Sequence, residues 1–173
     1  MHMSRDPVSY FAHGPPVKPQ AKPIILGIGF GATATHSLTY ILRRLGFRTI
    51  HYEPYQLFHA LATRQFDEFA AYADAWTDDP MGGLWEIFAQ VFVNAKFVLS
   101  TRADYHRRFV TKCVDPPRQS VVSRCLMYGM VCPQDKNETN ALERAHREHV
   151  LATVPRERLL IVNISNGEMT LER

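Results

Sequence analysis

The segment from Pro23 to Tyr52 constrains this chain most. Ile24 to Ile28 is a short apolar run, and the turn Gly27-Ile28-Gly29-Phe30-Gly31 grows directly out of it. Apolar residues then recur at Leu38, Ile41, Leu42 and Leu45, a helical spacing that Gly46 stops. Arg48 to Tyr52 reads as a second strand. Strand, glycine turn, helix and strand make a βαβ unit, whose two strands should run parallel. A loop between a buried parallel strand and a helix gathers free backbone N–H groups at the positive end of the helix dipole, which suits an anion. Thr33, Thr35 and Ser37 add hydroxyl donors there.

The rest of the chain continues the alternation. Tyr55 to Ala62 and Phe66 to Trp76 read as aromatic-rich helices, and Thr77-Asp78-Asp79-Pro80 breaks them. Leu84 to Val93 reads as an amphipathic helix, Lys96 to Thr101 as a buried strand ending beside Arg102, and Asp104 to Lys112 as a helix that Pro116 and Pro117 close. Arg118 to Val131 is read as helix, Glu138 to Thr153 as helix, and Leu159 to Ile164 as a fourth buried strand. Strands alternating with helices predict an α/β domain with a mainly parallel sheet of about four strands. Residues 1–22 hold Pro7, Pro15, Pro16 and Pro19 without periodicity, so they read as an irregular arm ahead of one domain over 23–173.

Composition excludes several classes. With 46% hydrophobic and 21% charged residues the chain has the material for a packed core. A net charge of +3 with no dense Lys/Arg cluster argues against a nucleic-acid tract. Cys113, Cys125 and Cys132 fit neither a disulfide framework nor a CxxC metal site. They read as small buried residues in a reducing compartment, and the expected location is cytoplasmic. No apolar run approaches the roughly 18 residues of a membrane span.

Spacing separates three uses of the glycine turn. The Walker A pattern needs Gly-Lys-Ser/Thr, and Gly31-Ala32-Thr33 has no lysine. The dinucleotide fingerprint GxGxxG/A matches at Gly27, Gly29 and Ala32, with Glu53 after the second strand as a ribose-binding acid. In such domains the helix usually leaves the loop at once, whereas here a few hydroxyl-rich residues intervene.

That surplus fits a third pattern. Gly27-Ile-Gly-Phe-Gly-Ala-Thr-Ala-Thr-His-Ser-Leu38, then Leu45-Gly46-Phe47, then His51-Tyr52-Glu53, resembles the 5′-phosphosulfate loop of sulfotransferases, in the subgroup with GxGFGRTGTxSL. Asp79-Pro80 with Trp85 is similar to the subgroup's D-x-P and W elements. Asn94 to Arg102 resembles its P-x-A-K-strand-T-x-R-D run, and Val154-Pro155-Arg156-Glu157-Arg158-Leu159-Leu160, ending in Gly167, its VP-x-E-R-L-L element.

The resemblance implies a P-loop NTPase-like sulfotransferase architecture. It also implies sulfuryl transfer from 3′-phosphoadenosine-5′-phosphosulfate to a hydroxyl or amine of a small acceptor, with no metal. Carried over, Gly29, Gly31, Thr33, Thr35, His36 and Ser37 would line the 5′-phosphate pocket, and Arg102 would bind the 3′-phosphate. Asp79, Glu53 and His51 are the base candidates, Asp79 foremost. The departures are Ala32 for a loop Lys/Arg, Ala34 for a loop glycine, and Val110, beside Thr111, for a serine. With the chain stopping at Arg173, they suggest a weak or inactive enzyme, or a fragment. A non-catalytic nucleotide- or partner-binding member of the fold and a Rossmann-type module remain the alternatives. Blander roles stand beside these: a salt bridge from Arg102 to Asp104 or Glu53, a helix cap at His36, a turn at Asp79. His106, Arg107, Arg108, His146 and Arg147 would then be solvated helix faces, and Phe58, Phe66, Phe69, Tyr72 and Trp76 core.

Overall fold

The computed structural model describes residues 23–111, 125, 135–165 and 168–172. The arm over 1–22, Gly167 and all of Arg118 to Val131 except Cys125 lie outside the described residues. Cys125 is exposed rather than buried.

Among the described residues five strands run parallel and a sixth closes the edge. Chain order is β1 (Ile25–Gly27), α1 (Thr35–Arg44), β2 (Thr49–His51), α2 (Pro54–Thr63), α3 (Phe66–Tyr72), β3 (Ala75–Thr77), α4 (Met81–Val91), β4 (Lys96–Arg102) and α5 (Tyr105–Thr111). It continues with α6 (Lys136–Thr153), a 3-10 turn (Arg156–Arg158), β5 (Leu159–Ser165) and β6 (Glu168–Glu172). Across the sheet the order is β2-β3-β1-β4-β5-β6, with β6 antiparallel to β5. The expected α/β architecture with a mainly parallel sheet is what forms.

Two strands were not anticipated. Phe66 to Trp76 is not one helix: α3 ends at Tyr72, Ala73 is extended, and Ala75–Thr77 enters the sheet between β1 and β2. The aromatic spacing imitates a helix because Trp76 stacks on Phe69 at 3.9 Å, so a strand residue supplies the contact that a further helical turn would have made. β1 and β2 are therefore parallel but not neighbours. This order also differs from that of dinucleotide-binding domains, where the second strand lies beside the first.

Alternation along the strands divides the core. Leu26, Trp76, Phe97 and Leu99 share one cluster with Leu57, Phe69, Trp85 and Phe88 from α2, α3 and α4 and Val150 from α6. Ala75, Val98, Val162 and Ile164 form the other with Leu38 and Leu42 of α1. A third cluster, Phe30, Ala32, Tyr105 and Phe109, packs beside the glycine loop. At its start α6 is capped by Asp135, whose Oδ1 accepts from the N–H groups of Asn137 and Glu138 at 2.6 and 3.0 Å.

Candidate functional site

The carboxyl ends of β1, β2, β3 and β4 lead respectively into the glycine loop, His51, Asp78-Asp79 and Arg102, so most of the expected site residues leave the same end of the sheet.

Close approach shapes the loop. A Cβ on Gly29 would stand 2.1 Å from Ser100 Oγ and 2.4 Å from the Ser100 carbonyl, so only glycine lets the loop lie against β4. Thr33 is fully buried and turned inward. Its hydroxyl donates to the Phe30 carbonyl at 2.6 Å, which leaves Ser100 as donor in their 2.7 Å contact. Ala32 and Ala34 adopt φ of 76° and 60°, the left-handed region that disfavours a Cβ. Asp78 (φ 76°) and Tyr52 (φ 50°), each just past a strand end, do the same. Four of the five non-glycine residues with positive φ among the described residues thus lie in or beside this site, which is where backbone strain concentrates in functional proteins.

Helix α1 begins at Thr35 and has no acidic residue in its first turn. Thr35 is buried with Oγ1 3.3 Å from His51 Nε2, while His36 and Ser37 are exposed. The His36 ring stacks on His51 at 3.7 Å.

Acid residues close the opposite side. Asp79 Oδ1 accepts from the Gly31 N–H at 3.0 Å, and Asp78 Oδ2 lies 3.0 Å from His51 Nε2. Both aspartates are buried, at 7% and 8% exposure. Because a carboxylate accepts, Nε2 is a hydrogen-bearing nitrogen of His51. Asp78 was not among the sequence candidates, although the D-x-P spacing names the residue two before Pro80. Glu53 is half-buried at the start of α2, makes no capping bond, and its carboxylate has no ion-pair partner among the described residues.

Arg102 lies two residues beyond Ser100 on the same face of β4, with a side chain 12% exposed and Nε bonded to the Asp104 carboxylate. Arg107 and Arg108 reach the other oxygen of Asp104 at 3.0 and 3.5 Å. The hydrogen bond from Arg102 is the main reason that the Asp104 carboxyl titrates below its ordinary range. This is the salt bridge weighed above, and it fixes the guanidinium at the end of β4.

His146 is not part of a solvated face. Its Nε2 lies 2.7 Å from the Ile28 carbonyl, its ring stacks on Phe30 at 4.1 Å, and burial pushes its pKa below the ordinary value. His106 likewise meets Thr139 of α6 at 3.1 Å. Arg107 and Arg108 are solvated as expected. Among the described residues no group of three or more His, Cys, Asp or Glu is placed to hold a metal ion. Nor is any described helix long and apolar enough to cross a membrane.

A family model described as a sulfotransferase domain matches residues 24–111, just over half of the chain, from the residue before β1 to the end of α5. No curated protein matches the chain.

Proposed function

The chain belongs to the sulfotransferase domain family, and from that premise we propose that it moves a sulfuryl group from 3′-phosphoadenosine-5′-phosphosulfate to a hydroxyl or amine of a small acceptor. The loop Gly29 to Thr33 with Thr35, His36 and Ser37 would receive the 5′-phosphosulfate. Arg102, preset by Asp104, would take the 3′-phosphate with its remaining guanidinium donors. Thr33 and Gly29 contribute by holding the loop against Ser100.

One observation carries the reading. His51 Nε2 lies 3.3 Å from the Thr35 hydroxyl at the mouth of the loop and 3.0 Å from Asp78, so an imidazole oriented by a buried carboxylate borders the loop. The acceptor oxygen or nitrogen attacks sulfur and the bond from sulfur to the 5′-phosphate oxygen breaks. The acceptor's proton passes to the His51 imidazole, and adenosine 3′,5′-bisphosphate leaves. The orientation by Asp78 favours His51 as the base over Asp79 and Glu53. With Ala32 in the loop, no side-chain cation from that position meets charge growing on the leaving phosphate, so the proposed turnover is slow.

Calorimetric titration with adenosine 3′,5′-bisphosphate and with NAD, followed by transfer of labelled sulfate to a panel of phenols, alcohols and amines, tests this. Selective bisphosphate binding with transfer supports it. Selective binding without transfer supports a non-catalytic member of the fold, and preference for NAD sinks both.

A further inference from the structure

We propose that in the ligand-free protein Asp79 fills the anion position of the glycine loop, so that any phosphate or sulfate entering the loop must first displace this carboxylate. The inference rests on the loop being an anion pocket, and not on the identity of the donor.

Three observations lead there. The Gly31 N–H, one of the loop donors an anion would use, is given to Asp79 Oδ1 at 3.0 Å. The second oxygen lies so close that a Cβ on Gly31 would stand 2.5 Å from it, so carboxylate and incoming anion cannot share the place. Asp79 is also held there from behind. Thr77 is hydrogen-bonded to Thr39 of α1 at 2.6 Å, the Asp78 backbone turns through φ 76°, and the Met81 N–H returns to the Asp78 carbonyl at 3.0 Å. A carboxylate on a backbone N–H is a charge-assisted bond with the geometry a phosphate oxygen would adopt. Ala32, where the resemblance puts a lysine or arginine, brings no charge to offset two anions meeting in the loop.

Binding therefore has an exchange step. The anion takes the Gly31 N–H and Asp79 swings away from the loop. Like charges at such a distance oppose occupancy, so the loop discriminates against anions in proportion to the charge they bring.

Sulfate, pyrophosphate and adenosine 3′,5′-bisphosphate titrated into the wild type and Asp79→Asn test this. Asparagine keeps the shape and an oxygen for Gly31 but removes the charge. The variant is expected to bind sulfate and pyrophosphate tighter by on the order of tenfold or more. Equal or weaker binding, or binding of no anion by either protein, overturns the proposal. Tightening for the inorganic anions with no preference for the bisphosphate keeps it and sinks the donor assignment. Wild-type binding of the bisphosphate without any gain in Asp79→Asn does the reverse. Should the variant fail to fold, the Gly31 amide resonance of the wild type decides. It must move as sulfate is added, and a resonance unmoved up to the limit of sulfate solubility overturns the proposal.

Discussion

His146, on α6, donates its Nε2 hydrogen to the carbonyl of Ile28, 118 residues earlier in the chain, at 2.7 Å. A carbonyl only accepts, so a second proton would have to enter at Nδ1 on a ring that is largely buried. Burial opposes that charge and His149 adds to the opposition, while the Ile28 bond and Glu86 favour it less strongly, so the pKa lies below its ordinary 6.5. The sign follows. The unfolded chain binds this proton at higher pH than the folded one, so the contribution is complete above pH 6.5 and is lost as pH falls below it. Thermal melts should show the wild type losing stability below that pH more steeply than His146→Phe. That variant keeps the stack on Phe30 but orphans the carbonyl, at about 1–3 kcal/mol at neutral pH. Parallel pH profiles would refute the assignment.

Gly29 and Gly31 should differ sharply under the same change. Gly29→Ala drives a methyl into the Ser100 backbone carbonyl at 2.4 Å, which β4 cannot relieve without moving. Its cost should be about 1–3 kcal/mol or more in denaturant unfolding. Gly31→Ala meets a movable carboxylate at 2.5 Å and should cost about 1 kcal/mol or less. Equal costs would show that the loop does not lie against β4 as described.

Much of this was legible beforehand because its signals are local. The strand–glycine–helix pattern placed the loop, and Arg102 could be placed at a strand end because Phe97 to Thr101 reads as buried. Most of what escaped depends on distance or on ambiguous periods. Trp76 continues the aromatic spacing from Phe69 while sitting in a strand, so β3 was read as helix. Asp78 was passed over for its neighbour because two adjacent aspartates differ only in what they face, His51 for one and Gly31 for the other. His146 gives no local sign at all, since its partner lies at the far end of the sequence. β6 pairs only with β5, and the alternation of Met169 and Leu171 with Glu168, Thr170 and Glu172 is a local strand signal that was passed over.

Arg102 should discriminate between nucleotides. If its guanidinium takes the 3′-phosphate, Arg102→Ala should weaken adenosine 3′,5′-bisphosphate by about 1.5–3 kcal/mol, the worth of a hydrogen bond to a charged group. Binding of adenosine 5′-monophosphate should change little. Calorimetry on both nucleotides checks this, and equal losses would return Arg102 to the role of a partner for Asp104 alone.

Ala34 sits at φ 60°, ahead of α1, where the resemblance expects glycine. An L-residue costs roughly 1–2 kcal/mol there, and glycine gives back part of the gain through its freer unfolded chain. Ala34→Gly should therefore raise the melting temperature by about 2 °C, the effect of somewhat under 1 kcal/mol in a chain of this size. A lower melting temperature would mean that the contact of the Ala34 methyl with the Leu38–Leu42 cluster outweighs the strain.

Ala32 decides how much activity the loop can recover. It is buried with Phe30, Tyr105 and Phe109 at φ 76°, so Ala32→Lys must carry a longer side chain out of that cluster and still accept left-handed geometry. Alanine already bears the left-handed cost, so the added one is for fitting the longer side chain past the cluster, about 1–3 kcal/mol. Restoring one charged stabiliser to a site of this kind contributes about 2.7–4 kcal/mol to the transition state. The gain exceeds the cost, and only the cost appears in the free protein. Ala32→Lys should thus lower thermal stability slightly while raising kcat for sulfuryl transfer by about 10²–10³-fold. The opposing effects are what separate this from a general improvement in folding. A folded Ala32→Lys protein in which bisphosphate binding and transfer both stayed undetectable would remove the degenerate-enzyme reading and leave a scaffold that kept the family's sheet without its chemistry.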